Sequence, residues 1–205
     1  MDMTVFLEQV RQGAVNSSWL ELVAVLFGLA SVMFATRENI LVYPTGIVNV
    51  IIYVYICAIF KLYADMAINA YYFVMSVYGW ILWGKGENRP ALPITFCSNK
   101  ERWVAAMFTV ISFCIIYFTL VSYTDSDVPV WDALTTSLFV VAMVLMAKKK
   151  MEHWIGWILG NIISVPLYLY KGLAFTAVQY LVFTGLAVMG YLLWRKSVGR
   201  QNEIA

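Results

Sequence analysis

Seven stretches of the chain are dominated by apolar residues, and each is bounded by polar or charged links. A spanning helix needs about 20 mostly apolar residues to cross the hydrocarbon core of a bilayer, so each stretch is predicted to cross a membrane. The predicted spans are 19–35, 40–60, 64–83, 103–123, 129–147, 153–170 and 174–194. Most links are very short, so neighbouring spans are antiparallel. The one long link, 84–102, follows the third span.

The first three spans match the last three, which indicates an internal repeat. A shift of 112 residues aligns Asn49 with Asn161, and a shift of 111 aligns Trp83 with Trp194, so one deleted residue reconciles the two. We predict an all-α, polytopic membrane protein with seven transmembrane helices, in which two parallel three-helix repeats are joined by a linker helix. The predicted divisions are 1–18 (an N-terminal segment at the membrane surface), 19–84 (first repeat), 85–124 (loop and linker helix), 125–196 (second repeat) and 197–205 (tail).

Composition and charge support a membrane environment and give an orientation. The chain is 62% hydrophobic and only 13% charged, with a net charge of +2; the charged share is about half that of soluble domains. Of the 14 Lys and Arg residues, three lie on the side of the N-terminus (side A) and eleven on the opposite side (side B). The positive-inside rule therefore places side B and the C-terminus in the cytoplasm. The few scattered basic residues argue against a nucleic-acid partner, and membrane lipids are the expected surroundings.

Polar side chains occur at helical spacing inside the apolar spans. Trp157, Asn161, Ser164 and Tyr168 share one helix face, and an amide facing lipid costs several kcal/mol, so Asn161 is predicted to face inward. Together with similar side chains on three other spans, they form the predicted substrate-binding set: Asn49, Asn69, Tyr72, Trp157, Asn161, Ser164, Tyr168 and Gln179. Amides and aromatic rings suit a flat, neutral or cationic ligand that carries hydroxyl groups. The same residues also fit side chains that only hold neighbouring helices together.

Several kinds of site are absent from the sequence. No span has a charge near its centre, and the single histidine, His153, is predicted to play a structural role at the membrane interface. The chain has no phosphate-binding glycine loop, and its residues form no catalytic or metal-binding constellation. We therefore expect no enzyme activity, no cofactor and no metal. Buried charges are the usual parts of proton relays, so their absence favours a passive carrier or a channel.

Four short motifs resemble those of the PnuC family of bacterial vitamin transporters: LYAD at 62–65, YGW at 78–80, WDALTT at 131–136 and LYLYKGL at 167–173. The resemblance implies a seven-helix, three-plus-one-plus-three fold related to the SWEET sugar transporters. It also implies uptake of an unphosphorylated vitamin, usually nicotinamide riboside, across the bacterial inner membrane by facilitated diffusion. The resemblance implies in addition that a cytoplasmic kinase traps the vitamin by phosphorylation. The resemblance further implies a homotrimer.

The substrate stays open at this stage because the chain departs from the family pattern. It reads KGLAFTAVQY at 171–180, where many nicotinamide riboside members read KGLYLTAVLY, and Tyr43 stands where many members have Trp. Since Gln179 would face the pocket, thiamin or another flat vitamin such as riboflavin is the alternative substrate. A non-transporting, vitamin-binding membrane subunit is a further alternative.

Overall fold

A computed structural model describes residues 3–16, 18–59, 63–84 and 92–204, and within them the chain forms eight α-helices. Two of the predicted links, at 61–62 and at 85–91, lie outside the described residues. The helices are α1 (Met3–Asn16), α2 (Trp19–Thr36), α3 (Val42–Ile59), α4 (Tyr63–Trp83), α5 (Asn99–Tyr123), α6 (Pro129–Ala147), α7 (His153–Tyr170) and α8 (Ala174–Ile204). Helices α2 to α8 lie at the seven predicted spans, but α5 begins four residues earlier than predicted and α8 continues ten residues further.

Local sequence signals explain where several helices begin. The Ser18 side chain accepts a hydrogen bond from the Glu21 backbone N–H and so caps α2. Ser98 and Glu101 form a reciprocal capping box at the start of α5. Helix α6 begins with Pro129, a residue that suits the first helical turn because it lacks an N–H to satisfy.

Five of the described helices, α2, α3, α5, α6 and α8, are long and apolar enough to cross a membrane. The other two predicted spans, α4 and α7, fall outside that criterion. Polar residues interrupt both: Asp65, Asn69 and Ser76 lie in α4, while Asn161 and Ser164 lie in α7. The two helices with weaker hydropathy are therefore those that carry most of the predicted binding residues.

The helices pack in two groups of three. Helix α3 packs against α2 and α4, and α7 packs in the same way against α6 and α8. The two groups meet where α2 contacts α8 and where α4 contacts α6. Within the described residues α5 packs only against α6, and Ser112 is its one buried residue. Most apolar side chains of α5 are therefore exposed on the surface of the bundle. Helix α1 packs against α8.

Corresponding turns in the two groups have the same backbone geometry. Glu38 follows α2 with a φ of 55°, and Lys149 follows α6 with a φ of 49°. The N–H of Glu38 bonds to the carbonyl of Ala35, and the N–H of Lys149 bonds to that of Met146, so equivalent residues are 111 positions apart (38 and 149). This shift already applies at the turn that precedes α3 and α7. The predicted pairing of Asn49 with Asn161 is therefore wrong by one residue.

Candidate functional site

The polar face of α7 points into the bundle at its centre. Asn161 is 4% exposed and Ser164 is 1% exposed, whereas Trp157 and Tyr168, one turn away on either side, are half-buried. These four residues follow one another at steps of four, three and four, so they share a face. The expectation that this face is turned away from lipid is confirmed for Asn161 and Ser164.

A stack of four aromatic rings runs beside this polar face. Trp157 stacks on Phe139 of α6 with ring centroids 5.1 Å apart. Phe139 lies nearly parallel to Tyr180 of α8 at 6.2 Å, and Tyr180 stacks on Tyr168 at 5.0 Å. The stack therefore leaves α7 at Trp157, crosses α6 and α8, and returns to α7 at Tyr168. Because Phe139 and Tyr180 each have a ring on both sides, the outer faces of Trp157 and Tyr168 and the edges of the stack are the surfaces left for a planar or cationic solute.

Phe139 takes its place in the stack because α7 has a glycine opposite it. A Cβ atom at Gly160 would lie 2.8 Å from both Cδ1 and Cζ of Phe139, and closer still to Cε1, so only a glycine leaves room for the ring. At the corresponding positions in the first group, 111 residues earlier, the glycine is on the first helix and the larger side chain is on the second helix. There Gly28 lies in α2, and the Asn49 side chain from α3 fills the space beside it. The two groups thus share a backbone arrangement, but an amide in the first group stands where the second group has an aromatic ring of the stack.

The Asn161 amide differs from the other predicted amides in its hydrogen bonding. Asn49 donates from Nδ2 to the carbonyl of Ala24 at 2.6 Å, and Asn69 donates to the carbonyl of Asp65 at 2.9 Å. Within the described part of the chain, the Asn161 side chain makes no hydrogen bond, although it is 4% exposed. An amide without a protein partner has unused capacity for two donated and two accepted hydrogen bonds.

Tyrosines on other helices approach the ring stack at Tyr180. The phenol of Tyr180 lies within electrostatic range of those of Tyr168, Tyr72 and Tyr53, so α3, α4, α7 and α8 each bring a tyrosine to this region. Ser164 donates its hydroxyl hydrogen to the carbonyl of Gly160 at 2.9 Å, which leaves its oxygen lone pairs available. Gln179 is half-buried on α8, next in sequence to Tyr180.

Charged side chains lie at the side-A end of the ring stack. Lys171 forms a salt bridge with Asp132, with N–O distances of 2.7 and 2.9 Å, and its ammonium lies 5.7 Å from the ring centroid of Tyr168. Ser126 donates a hydrogen bond to the same carboxylate at 2.7 Å. Asp65 lies within electrostatic range of both Lys171 and Asp132. These groups connect the beginning of α6 with the turn between α7 and α8, close to Tyr168.

Two residues of the stack, Phe139 and Tyr180, are missing from the sequence prediction. Phe139 lies in the uninterrupted apolar run of α6, where one phenylalanine does not stand out from its neighbours. Tyr180 is adjacent to the predicted Gln179 but was not itself singled out, because tyrosines are common in these spans. The sequence does contain one indication of this packing. Gly160 lies next to Asn161 in the middle of a span, and a glycine there leaves room for a large side chain from another helix.

Comparison with known proteins gives this arrangement a context. The sequence model of the nicotinamide mononucleotide transporter family matches residues 18–196, most of the chain. The chain belongs to this family. Within the described residues, no group of three or more His, Cys, Asp or Glu side chains is placed to hold a metal ion.

Individual relatives of this transporter family cover nearly the whole chain. The nicotinamide riboside transporter PnuC of Escherichia coli is 26% identical, over 94% of this chain and 92% of the relative. The riboflavin/roseoflavin transporter RibM of Streptomyces davaonensis is 22% identical, over 86% of this chain and 84% of the relative. The crystal structure of the vitamin B3 transporter PnuC matches with a TM-score of 0.71 at 25% identity, over 98% of this chain and 94% of that one. The resemblance to the PnuC family is thereby confirmed.

Proposed function

We propose that the chain is a membrane transporter that takes up unphosphorylated nicotinamide riboside by facilitated diffusion. The observation that carries the proposal is the buried amide of Asn161, which has no partner among the described residues and lies beside a stack of four aromatic rings. Nicotinamide riboside has a flat, positively charged ring and a sugar with hydroxyl groups. The ring suits the aromatic faces and the polar groups suit the amide. Membership of the transporter family and similarity to named nicotinamide riboside transporters support the choice of substrate.

The proposed architecture is seven transmembrane helices, with α2–α4 and α6–α8 as two parallel repeats and α5 as the linker. The equivalent turns at Glu38 and Lys149 and the equivalent packing of α3 and α7 support it. Both turns also lie at one end of the bundle, since Glu38 and Lys149 form a salt bridge at 3.8 Å. The first helices of the two groups therefore run in the same direction. The proposed divisions stay at 1–18, 19–84, 85–124, 125–196 and 197–205.

Within this architecture the solute would lie between the two repeats. Seven of the predicted residues are proposed to face it, and the two newly found rings join them: Asn69, Tyr72, Phe139, Trp157, Asn161, Ser164, Tyr168, Gln179 and Tyr180. Asn49 is proposed to hold α2 and α3 together, because its amide is already bonded to Ala24 in α2. The predicted set of eight substrate-binding residues is thus retained, with a changed role for Asn49 alone.

The proposed cellular setting follows the charge asymmetry and the family. The protein would be a multi-pass component of the bacterial inner membrane, with the N-terminus periplasmic and the C-terminus cytoplasmic. Since no charge lies at mid-span to couple transport to protons, a cytoplasmic kinase would make uptake one-way by phosphorylating the product. A homotrimer is proposed from the family resemblance alone.

The proposal is tested by titrating the purified protein with nicotinamide riboside, thiamin and riboflavin in separate calorimetric experiments. Nicotinamide riboside is expected to bind most tightly. Riboflavin is the second candidate because RibM is a relative of this chain, and thiamin tests whether any flat cation is accepted. Preferential binding of riboflavin or thiamin would replace the proposed substrate. If none of the three bound, the vitamin-transport proposal would fail.

A further inference from the structure

A second aromatic cluster, distinct from the ring stack, fills the side-B end of the bundle. We call it the side-B cluster; its members are Tyr43, Trp83, His153, Trp154 and Trp194. None of these side chains is more than 6% exposed. Trp83 contacts Tyr43 at 5.1 Å and Trp194 at 5.9 Å, while Trp194 contacts His153 at 4.7 Å. The cluster therefore joins α3 and α4 of the first group to α7 and α8 of the second.

Two reciprocal hydrogen bonds tie the groups together at this cluster. The indole N–H of Trp83 in α4 donates to the carbonyl of Ala147 at the end of α6, at 3.2 Å. The indole N–H of Trp194 in α8 donates to the carbonyl of Ala35 at the end of α2, at 2.9 Å. The third helix of each group thus holds the first helix of the other. A conformational change that separates the groups at side B must break both bonds.

Three polar atoms in the cluster are buried without a hydrogen-bond partner: Tyr43 Oη, His153 Nε2 and Trp154 Nε1. His153 is fully buried within the protein, and only its Nδ1 atom is paired, with the carbonyl of Lys150 at 2.7 Å; its place at the membrane interface stays a prediction. Native interiors rarely leave polar atoms unpaired. Apolar side chains would make a more stable barrier if it never opened. When a barrier opens, polar atoms such as these become exposed to water or to a polar solute.

The cluster also lies in line with the proposed binding face. Trp154, Trp157 and Asn161 succeed one another along one face of α7. On α8, Tyr180 belongs to the ring stack, and the buried Ala187 and Trp194 follow toward side B. A solute that moves from Asn161 toward side B therefore meets the cluster next.

We propose that the side-B cluster is the closed cytoplasmic gate of the substrate pathway and that opening breaks the Trp83 and Trp194 indole hydrogen bonds. This inference rests on the proposed function for its substrate. The hydroxyl, imidazole and indole groups that lack partners in the closed gate would bond to water or to the hydroxyl groups of the passing solute. The gate thus supplies polar contacts only when it is open.

The gate is tested by the accessibility of a cysteine placed behind it. Ala187 is 2% exposed and belongs to the same buried core as the cluster, so Ala187→Cys serves as the reporter. Native Cys57, which is buried near the opposite end of α3, is kept as an internal control, and Cys97 and Cys114 are replaced by serine. A membrane-impermeant maleimide is applied from side B to the full-length protein in vesicles. Labelling at each cysteine is followed by mass spectrometry.

Trp194→Phe keeps an aromatic ring but removes the indole donor, and Trp103→Phe, at a residue that is 73% exposed on α5, is the matched control. Loss of one buried hydrogen bond is expected to raise the labelling rate at position 187 at least about fivefold in Trp194→Phe. The control is expected to label like the parent, and Cys57 is expected to stay protected in both. If Trp194→Phe is not produced, Trp83→Phe makes the same comparison.

Equal rates at position 187 in Trp194→Phe and Trp103→Phe would overturn the gate. A parallel rise at Cys57 would also overturn it, since it would show general loosening. Nicotinamide riboside gives a second readout: when it binds, it is expected to accelerate labelling at position 187 in the parent, and a bound but ineffective ligand would contradict the proposal. If nicotinamide riboside does not bind at all, the proposed function fails. The comparison of the two tryptophan variants, made without ligand, still decides the gate.

Discussion

Gly160→Ala tests whether the ring stack lines the binding site. The new Cβ would overlap the Phe139 ring, which cannot move freely because Trp157 lies 5.1 Å away on one side and Tyr180 lies 6.2 Å away on the other. Inserting a carbon into a packed interior typically costs about 1–3 kcal/mol. If the stack moves to relieve the overlap, the affinity for nicotinamide riboside is expected to fall by about 5- to 150-fold.

The assay is calorimetric titration of the purified variant, with a thermal melt to confirm that it is folded. Gly185→Ala is the matched control, because it makes the same change within helix α8 at a position with no atom within 4 Å of the new Cβ. The control is expected to bind like the parent and to melt no lower, since alanine favours helix more than glycine does. A folded Gly160→Ala protein with the parent's affinity would refute the assignment of the stack to the site.

Three further predictions concern single side chains. Asn161→Leu should abolish binding of nicotinamide riboside in the same titration while leaving the protein folded. Asn49→Leu should keep binding but lower the melting temperature, because it removes the side-chain hydrogen bond that joins α3 to the Ala24 carbonyl in α2. Equal effects of the two changes on binding would contradict the different roles. Trp157→Ala should weaken binding by about 1–2 kcal/mol if the ring stacks on the solute, and an unchanged dissociation constant would exclude that contact. Asp132→Asn removes the partly exposed salt bridge to Lys171 and should cost at most about 1 kcal/mol of stability; thermal melts should show the loss shrinking in high salt, and a loss that is independent of salt would argue against an ionic origin.

Hydropathy predicted the helices well because a spanning segment must be both long and apolar. The spans at 129–147 and 153–170 agree with α6 and α7 at both ends. The orientation of the α7 face was also predictable, since the cost of exposing Asn161 to lipid leaves one favourable direction. Periodicity and the cost of placing polar groups in lipid therefore predict the orientation of residues that differ in polarity from their neighbours.

The orientation of residues that are as apolar as their neighbours was not predictable. In a membrane, side chains that face lipid and side chains that face the core are equally apolar, so the sequence did not distinguish Phe139 from its neighbours in α6. The internal register depended on the turns at Glu38 and Lys149, whose left-handed backbone is not marked by a glycine. The burial of His153 was likewise not evident from its place at the end of a span. It is buried because tryptophans from α7 and α8 cover it.

The most direct test of the central claim is uptake of radiolabelled nicotinamide riboside into liposomes that contain this chain as their only protein. The parent is expected to equilibrate the label across the membrane without ATP or an ion gradient, and Asn161→Leu is expected to leave the rate at that of protein-free liposomes. Parent liposomes that take up no more label than protein-free ones would contradict an autonomous carrier, and equal uptake by the parent and Asn161→Leu would contradict the site.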